Sequence, residues 1–254
     1  VIPKNSRPET EFPITLIPNH RSINAKSMKH LLLLHGALGS AEQVAPLQEA
    51  LQNDFNVHAP SFSGHGGVPF GDAFGIEAFA RETFGFLNRN NIEKTDVFGY
   101  SMGGYVALYL ATLAPERLGR IVTLATKFDW TPDSAAKEVK MLDPEKIEAK
   151  VPAFAEMLAQ RHAPNNWKEV LRQTAAMMLD LGNRPPLAAG VLGKITHPVL
   201  VCLGDSDQMI SQEETRQAAQ ALPNGKLLIL EQTPHPFEKM DVAKVEVVVR
   251  TFCG

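Results

Sequence analysis

The chain has 254 residues, 44% of them hydrophobic and 21% charged, with 25 basic against 28 acidic side chains and a formal net charge of −3. This is ordinary globular usage in a chain long enough to bury a core without disulfide or metal staples; it excludes disorder and fibrous repeats and counts against a nucleic-acid partner. No apolar run approaches the ~18–20 residues of a membrane span. The opening VIPKNSRPETEF is polar and proline-broken rather than a signal peptide, and Cys202 and Cys253 are too few for a disulfide framework, so a reducing cytoplasm is the expectation.

Taken in chain order, short apolar runs alternate with longer segments of helical period. Phe12–Ile17 reads as an optional antiparallel edge strand. The run His30–His35, ending at Gly36, is continuous and apolar, as a strand covered on both faces must be. Further runs follow at Asn56–Ala59, Thr95–Phe98, Arg120–Leu124, Val199–Leu203 and Lys226–Leu230. Helical patterns lie near 41–53, 73–90, 102–113, 211–222 and 238–251. Such alternation predicts an α/β fold, a mostly parallel sheet with helices on both faces.

One stretch breaks the rhythm. Residues 127–189 show helical spacing and no strand, with Asp143-Pro144-Glu145 as a helix start and Trp167, Val170, Leu171, Thr174, Met178 and Leu181 on one face, stopped by Gly182 and Pro185-Pro186. An insertion of this length is far beyond the ~2–6 residues of an ordinary α/β connection. It predicts a helical lid, 127–189, set into a core formed by 1–126 and 190–254. Met141, Met157, Met177, Met178, Phe154 and Trp167 either line an apolar pocket or form the lid's own core, and the second reading is favoured.

The most informative segment is Gly99-Tyr100-Ser101-Met102-Gly103-Gly104. An apolar strand leads into it and a helix leaves it, so the glycines flank a sharp strand-to-helix turn with Ser101 at its tip. A serine hydroxyl needs a base to accept its proton, and histidine titrates in the right range. Of the histidines after Ser101, His162 lies in the insertion and His197 enters a strand; His235 follows the last apolar run in a loop and is the base of choice. The acid belongs after Val199–Leu203, where Gly204-Asp205-Ser206-Asp207 offers both Asp205 and Asp207, and spacing does not choose between them. Tyr100, His35 and His65 read as structural, while Met209 fits either pocket or core.

Together, His35-Gly36-Ala37-Leu38-Gly39-Ser40, Gly64-His65-Gly66, Gly99–Gly104, Gly204–Asp207 and the late His235 resemble the α/β-hydrolase superfamily, in its order and across nearly the whole chain. The resemblance implies a sheet of about eight strands. It favours Asp207 over Asp205 as the acid and implies an oxyanion hole from the backbone N–H groups of Ala37 and Met102. Ser61-Phe62-Ser63-Gly64 departs from the family, which often carries an acid before that turn. With Ser101, Asp207 and His235 as a triad, the resemblance implies a serine hydrolase acting on a small-molecule ester or thioester. Carbon–carbon bond hydrolysis, lyase or perhydrolase chemistry on the same triad is an alternative, and a non-catalytic binding protein on this fold is another. No phosphate loop, metal cluster or dinucleotide fingerprint occurs, so no cofactor is expected. Oligomeric state is not read from the sequence.

Overall fold

Four consecutive leucines, Leu31–Leu34, are all fully buried, because the strand they form is covered on both faces. The computed structural model describes residues 28–188 and 190–254. Six strands run in the order β2-β1-β3-β4-β5-β6: β1 (His30–Leu34), β2 (Asn56–His58), β3 (Thr95–Tyr100), β4 (Leu118–Leu124), β5 (Val199–Gly204) and β6 (Gly225–Leu230). Every pairing is parallel.

Side chains alternate between the two layers with the strand's period of two. Leu32, Leu34, Val97, Ile121, Val199 and Val201 pack into one core. That core is closed by α2 (Ile76–Arg89), α3 (Met102–Leu113) and α8 (Gln212–Ala221). Leu31, Leu33, Phe98, Val122, Leu200 and Cys202 face the other layer, closed by α1 (Ala41–Leu51) and α9 (Val242–Cys253). Both cysteines are free and buried there.

The six predicted apolar runs are the six strands. About eight were expected. Phe12–Ile17 lies outside the described residues, and from 28 onward every apolar run that suits a strand is already used, the remainder being helical. The strand order reverses between β1 and β3. In a parallel sheet this opens a crevice beyond the carboxyl ends of those two strands, where α/β proteins bind their ligands.

Between β4 and β5 the chain forms α4 (Pro132–Glu138), α5 (Pro144–Lys150), α6 (Pro152–His162) and α7 (Trp167–Asn183). Local capping sets their starts. Thr131 and Ser134 form a reciprocal capping box on α4, and the Asp143 carboxylate accepts the Lys146 N–H on α5. Met177 and Leu181 of α7 join the first sheet core. Ile147, Ala155, Leu158 and Leu171 form a separate cluster with Met157 and Trp167 packed on it. Met141 and Phe154, by contrast, are exposed. Among the described residues no helix is long and apolar enough to cross a membrane.

Candidate active site

The loops at the carboxyl edge of the sheet carry strain. Among the described residues five non-glycine residues have positive φ, and four of them, Leu38, Ser101, Ala125 and Gln232, follow β1, β3, β4 and β6. Such backbone costs on the order of 1–3 kcal/mol per residue and persists only where its surroundings enforce it.

Ser101 shows how. It sits at φ 50 and ψ −115 between the last residue of β3 and the first of α3, a reversal in a single residue. Its N–H donates to the Leu124 carbonyl at 2.8 Å, and its own carbonyl accepts the Thr126 hydroxyl at 2.9 Å and the Gly104 N–H at 3.1 Å. Gly103 is required because a Cβ there would run into the Leu34 carbonyl, so the elbow presses directly on the end of β1. The partly exposed Ser101 therefore stands at the head of α3, where backbone N–H groups favour negative charge.

On the loops after β5 and β6, His235 Nδ1 lies 2.8 Å from Asp207 Oδ2, with the carboxylate side chain fully buried and the imidazole nearly so. Burial by itself raises the Asp207 carboxyl, but the His235 hydrogen bond and the amides of Met209 (2.8 Å) and Ile210 (3.0 Å) outweigh it and hold the group below the usual carboxylate range. An ionised carboxylate only accepts, so Nδ1 is the donor, which in a neutral imidazole puts the lone pair on Nε2. Gly204 lets the two loops meet, since a Cβ there would strike the Thr233 carbonyl. The Tyr100 hydroxyl donates to the His235 carbonyl at 2.8 Å, which ties the histidine loop to the residue before Ser101. Among the described residues no hydrogen bond joins Ser101 to the imidazole; such bonds are often long until a substrate closes the site.

The loop from His35 to Ser40 folds over the elbow. His35 donates from Nδ1 to the Gly36 carbonyl at 2.8 Å and accepts the Phe62 N–H on Nε2 at 3.1 Å. Burial lowers its pKa to about 4, so it stays neutral and holds the loop. Neither Ala37 nor Met102 donates its N–H to a protein acceptor among the described residues.

The remaining candidates lie elsewhere. Asp205 is exposed and accepts from the Ser206 hydroxyl at 2.8 Å, and His197 is bonded to the Pro115 carbonyl at 2.8 Å. His162, on α6, accepts the Gly66 N–H at 3.1 Å, and His65 is bonded to the Ser63 carbonyl. Met209 is exposed, facing neither core nor a closed pocket. Ser61 accepts the first amide of α1, Ala41 N–H, at 2.8 Å, so the departure there leaves a hydroxyl to satisfy that helix start. Sequence reasoning missed Thr126 and Arg161, whose partners lie 25 and 123 residues away in the chain. No local pattern announces them.

Residues 29–187, well over half the chain, match the family model described as the alpha/beta hydrolase fold. The chain belongs to the α/β-hydrolase family. Within that family it is 29% identical over 101 residues to Esterase YbfF of Escherichia coli, a match spanning 40% of each chain. It is 25% identical to a pimeloyl-[acyl-carrier protein] methyl ester esterase of Neisseria meningitidis, over 83% of this chain and 72% of that one. The structure of a thermophilic esterase from Thermogutta terrifontis shares the fold, with a TM-score of 0.72 at 21% identity over 89% of both chains. The two sequence relatives are esterases, which supports hydrolase activity for this chain.

Proposed function

We propose that this α/β-hydrolase is a serine hydrolase cleaving a small carboxylic ester or thioester through an acyl-enzyme on Ser101. The observation that carries the reading is the Asp207–His235 hydrogen bond, on loops that the Tyr100 hydroxyl ties to the strained Ser101 turn. Asp207 fixes the imidazole tautomer and stabilises its charged form. His235 Nε2 takes the hydroxyl proton as Ser101 attacks the carbonyl, then returns it to the departing alcohol or thiol. The developing oxyanion falls between the N–H groups of Ala37 and Met102, whose lack of a protein acceptor leaves them free to receive it. Water, deprotonated by His235, then releases the acid and restores Ser101.

Residues 127–189 act in this reading as a lid that walls the crevice at the β1–β3 reversal. Among the relatives, the esterase YbfF and the Neisseria methyl ester esterase support an acyl ester as substrate, beside a protein of Pseudomonas syringae named Putative carbamate hydrolase RutD.

The test is Ser101→Ala, assayed on p-nitrophenyl acyl esters and acyl-CoA thioesters of graded chain length. Turnover should fall by at least ~10⁴-fold with the fold unchanged. Turnover at the wild-type rate in the variant would refute the assignment.

A further inference from the structure

Leu38 lies between β1 and α1 at φ 59, a conformation leucine avoids, so something must hold it there. The Gly39 N–H closes a turn on the Gly36 carbonyl at 3.1 Å with Leu38 at its third position, and two further holds come from the inserted helices. Arg161 of α6 donates from Nη1 to the Leu38 carbonyl at 3.0 Å, and the Leu38 side chain packs on the Ile147–Leu158–Leu171 cluster. The second guanidinium nitrogen, Nη2, donates to Glu238 Oε1 at 2.9 Å, three residues past His235. The same carboxylate oxygen accepts Gln43 Nε2 at 3.1 Å, and Gln43 Oε1 accepts the Gly36 N–H at 3.1 Å.

The contacts close into a ring: Gly36 N–H, Gln43, Glu238, Arg161, Leu38 carbonyl. The one residue it embraces is Ala37. Only 13% of the Arg161 side chain is exposed, which shields its arm to the Leu38 carbonyl, whereas the Glu238 end of the fork is 46% exposed and meets water. Its planar geometry lets one group serve two acceptors at once, which an ammonium on a flexible stem does poorly.

We propose that Arg161 is a positioning residue that aims the Ala37 N–H, making the helical insertion a structural part of the oxyanion hole as well as a cover. The proposal rests on the reading of Ala37 as an oxyanion donor. Loss of the ring leaves the Ala37 peptide held by the Gly36–Gly39 turn bond and His35 without the Arg161 clamp, and misplacement by about 1 Å costs on the order of 100-fold in rate.

The experiment compares wild type, Arg161→Met and Arg161→Lys, with active sites titrated by a fluorophosphonate so that misfolded protein is not counted. In Arg161→Met, kcat per titrated site should fall about 10- to 100-fold while KM stays within about threefold. The inhibition constant of an alkylboronic acid, whose boronate oxygen occupies the oxyanion position, should rise by the same factor. Arg161→Lys should recover part of both and keeps the test open if the methionine variant does not fold. Wild-type kcat per site and wild-type boronate affinity in these variants, whatever their Tm, would overturn the clamp. Ser101→Ala run alongside separates the two ideas: if it is inactive and the Arg161 variants are normal, the clamp alone falls; if it retains turnover, the reading of the site falls and the clamp with it.

Discussion

Two aspartates two positions apart on one loop meet opposite fates. Asp207 is buried against His235, whereas Asp205 is exposed and accepts the neighbouring Ser206 hydroxyl and, at 3.4 Å, the Thr233 N–H. If Asp207 holds the imidazole tautomer, Asp207→Asn should lower kcat by about 10²–10⁴-fold, while Asp205→Asn should stay within about threefold. Steady-state kinetics on one ester decide it, and equal losses in the two variants would contradict the asymmetry. Spacing left these residues unresolved because both follow the same strand; the family resemblance favoured Asp207, and burial against His235 separates the two in the fold. His235 was legible for the converse reason, as the one late histidine in a loop after a strand. Arg161 was not legible, because a guanidinium in a helix of mixed charge looks like any solvated side chain until the fold brings Leu38 and Glu238 to it.

At the scale of elements, the β3–α3 turn is where sequence and fold agree most closely. Gly103 stands against the Leu34 carbonyl, a backbone group that cannot move aside without disturbing β1. Gly103→Ala should therefore cost about 1–3 kcal/mol, seen as a Tm loss of several degrees, together with a fall in activity. An unchanged Tm would show that the elbow has slack. The strands were legible because a two-sided layer leaves no polar position, so Leu31–Leu34 and Val199–Leu203 stand out as unbroken runs. The insertion was legible as helices, but not in its attachment. Its methionines divide between two clusters and solvent, a partition that depends on helix packing angles rather than on period.

Across the whole molecule, His35, His65 and His162 form a buried series of tilted and edge-on rings, their centroids 5.1 and 5.7 Å apart along it. Burial lowers His35 and His162 to about 4 and His65 well below its ordinary value. The folded chain thus keeps them neutral, while the unfolded chain protonates them below about 6.5. Between those values the unfolded state binds more protons, so stability rises with pH and is lost as pH falls from about 6.5 towards 4. His35 alone contributes on the order of 3 kcal/mol across that window. Urea midpoints should drop between pH 7 and pH 4.5, and less steeply in His162→Gln, whose amide oxygen keeps an acceptor for Gly66. A flat profile would mean that the cluster is protonated in the folded state.

The relay itself is tested most directly by mapping where a serine-directed phosphonylating probe lands. Fluorophosphonate-treated protein, digested and read by mass spectrometry, should carry one adduct, on Ser101, and His235→Ala should slow its formation by about 10²–10⁴-fold. An adduct on another residue, or labelling at full speed without the imidazole, would contradict the account.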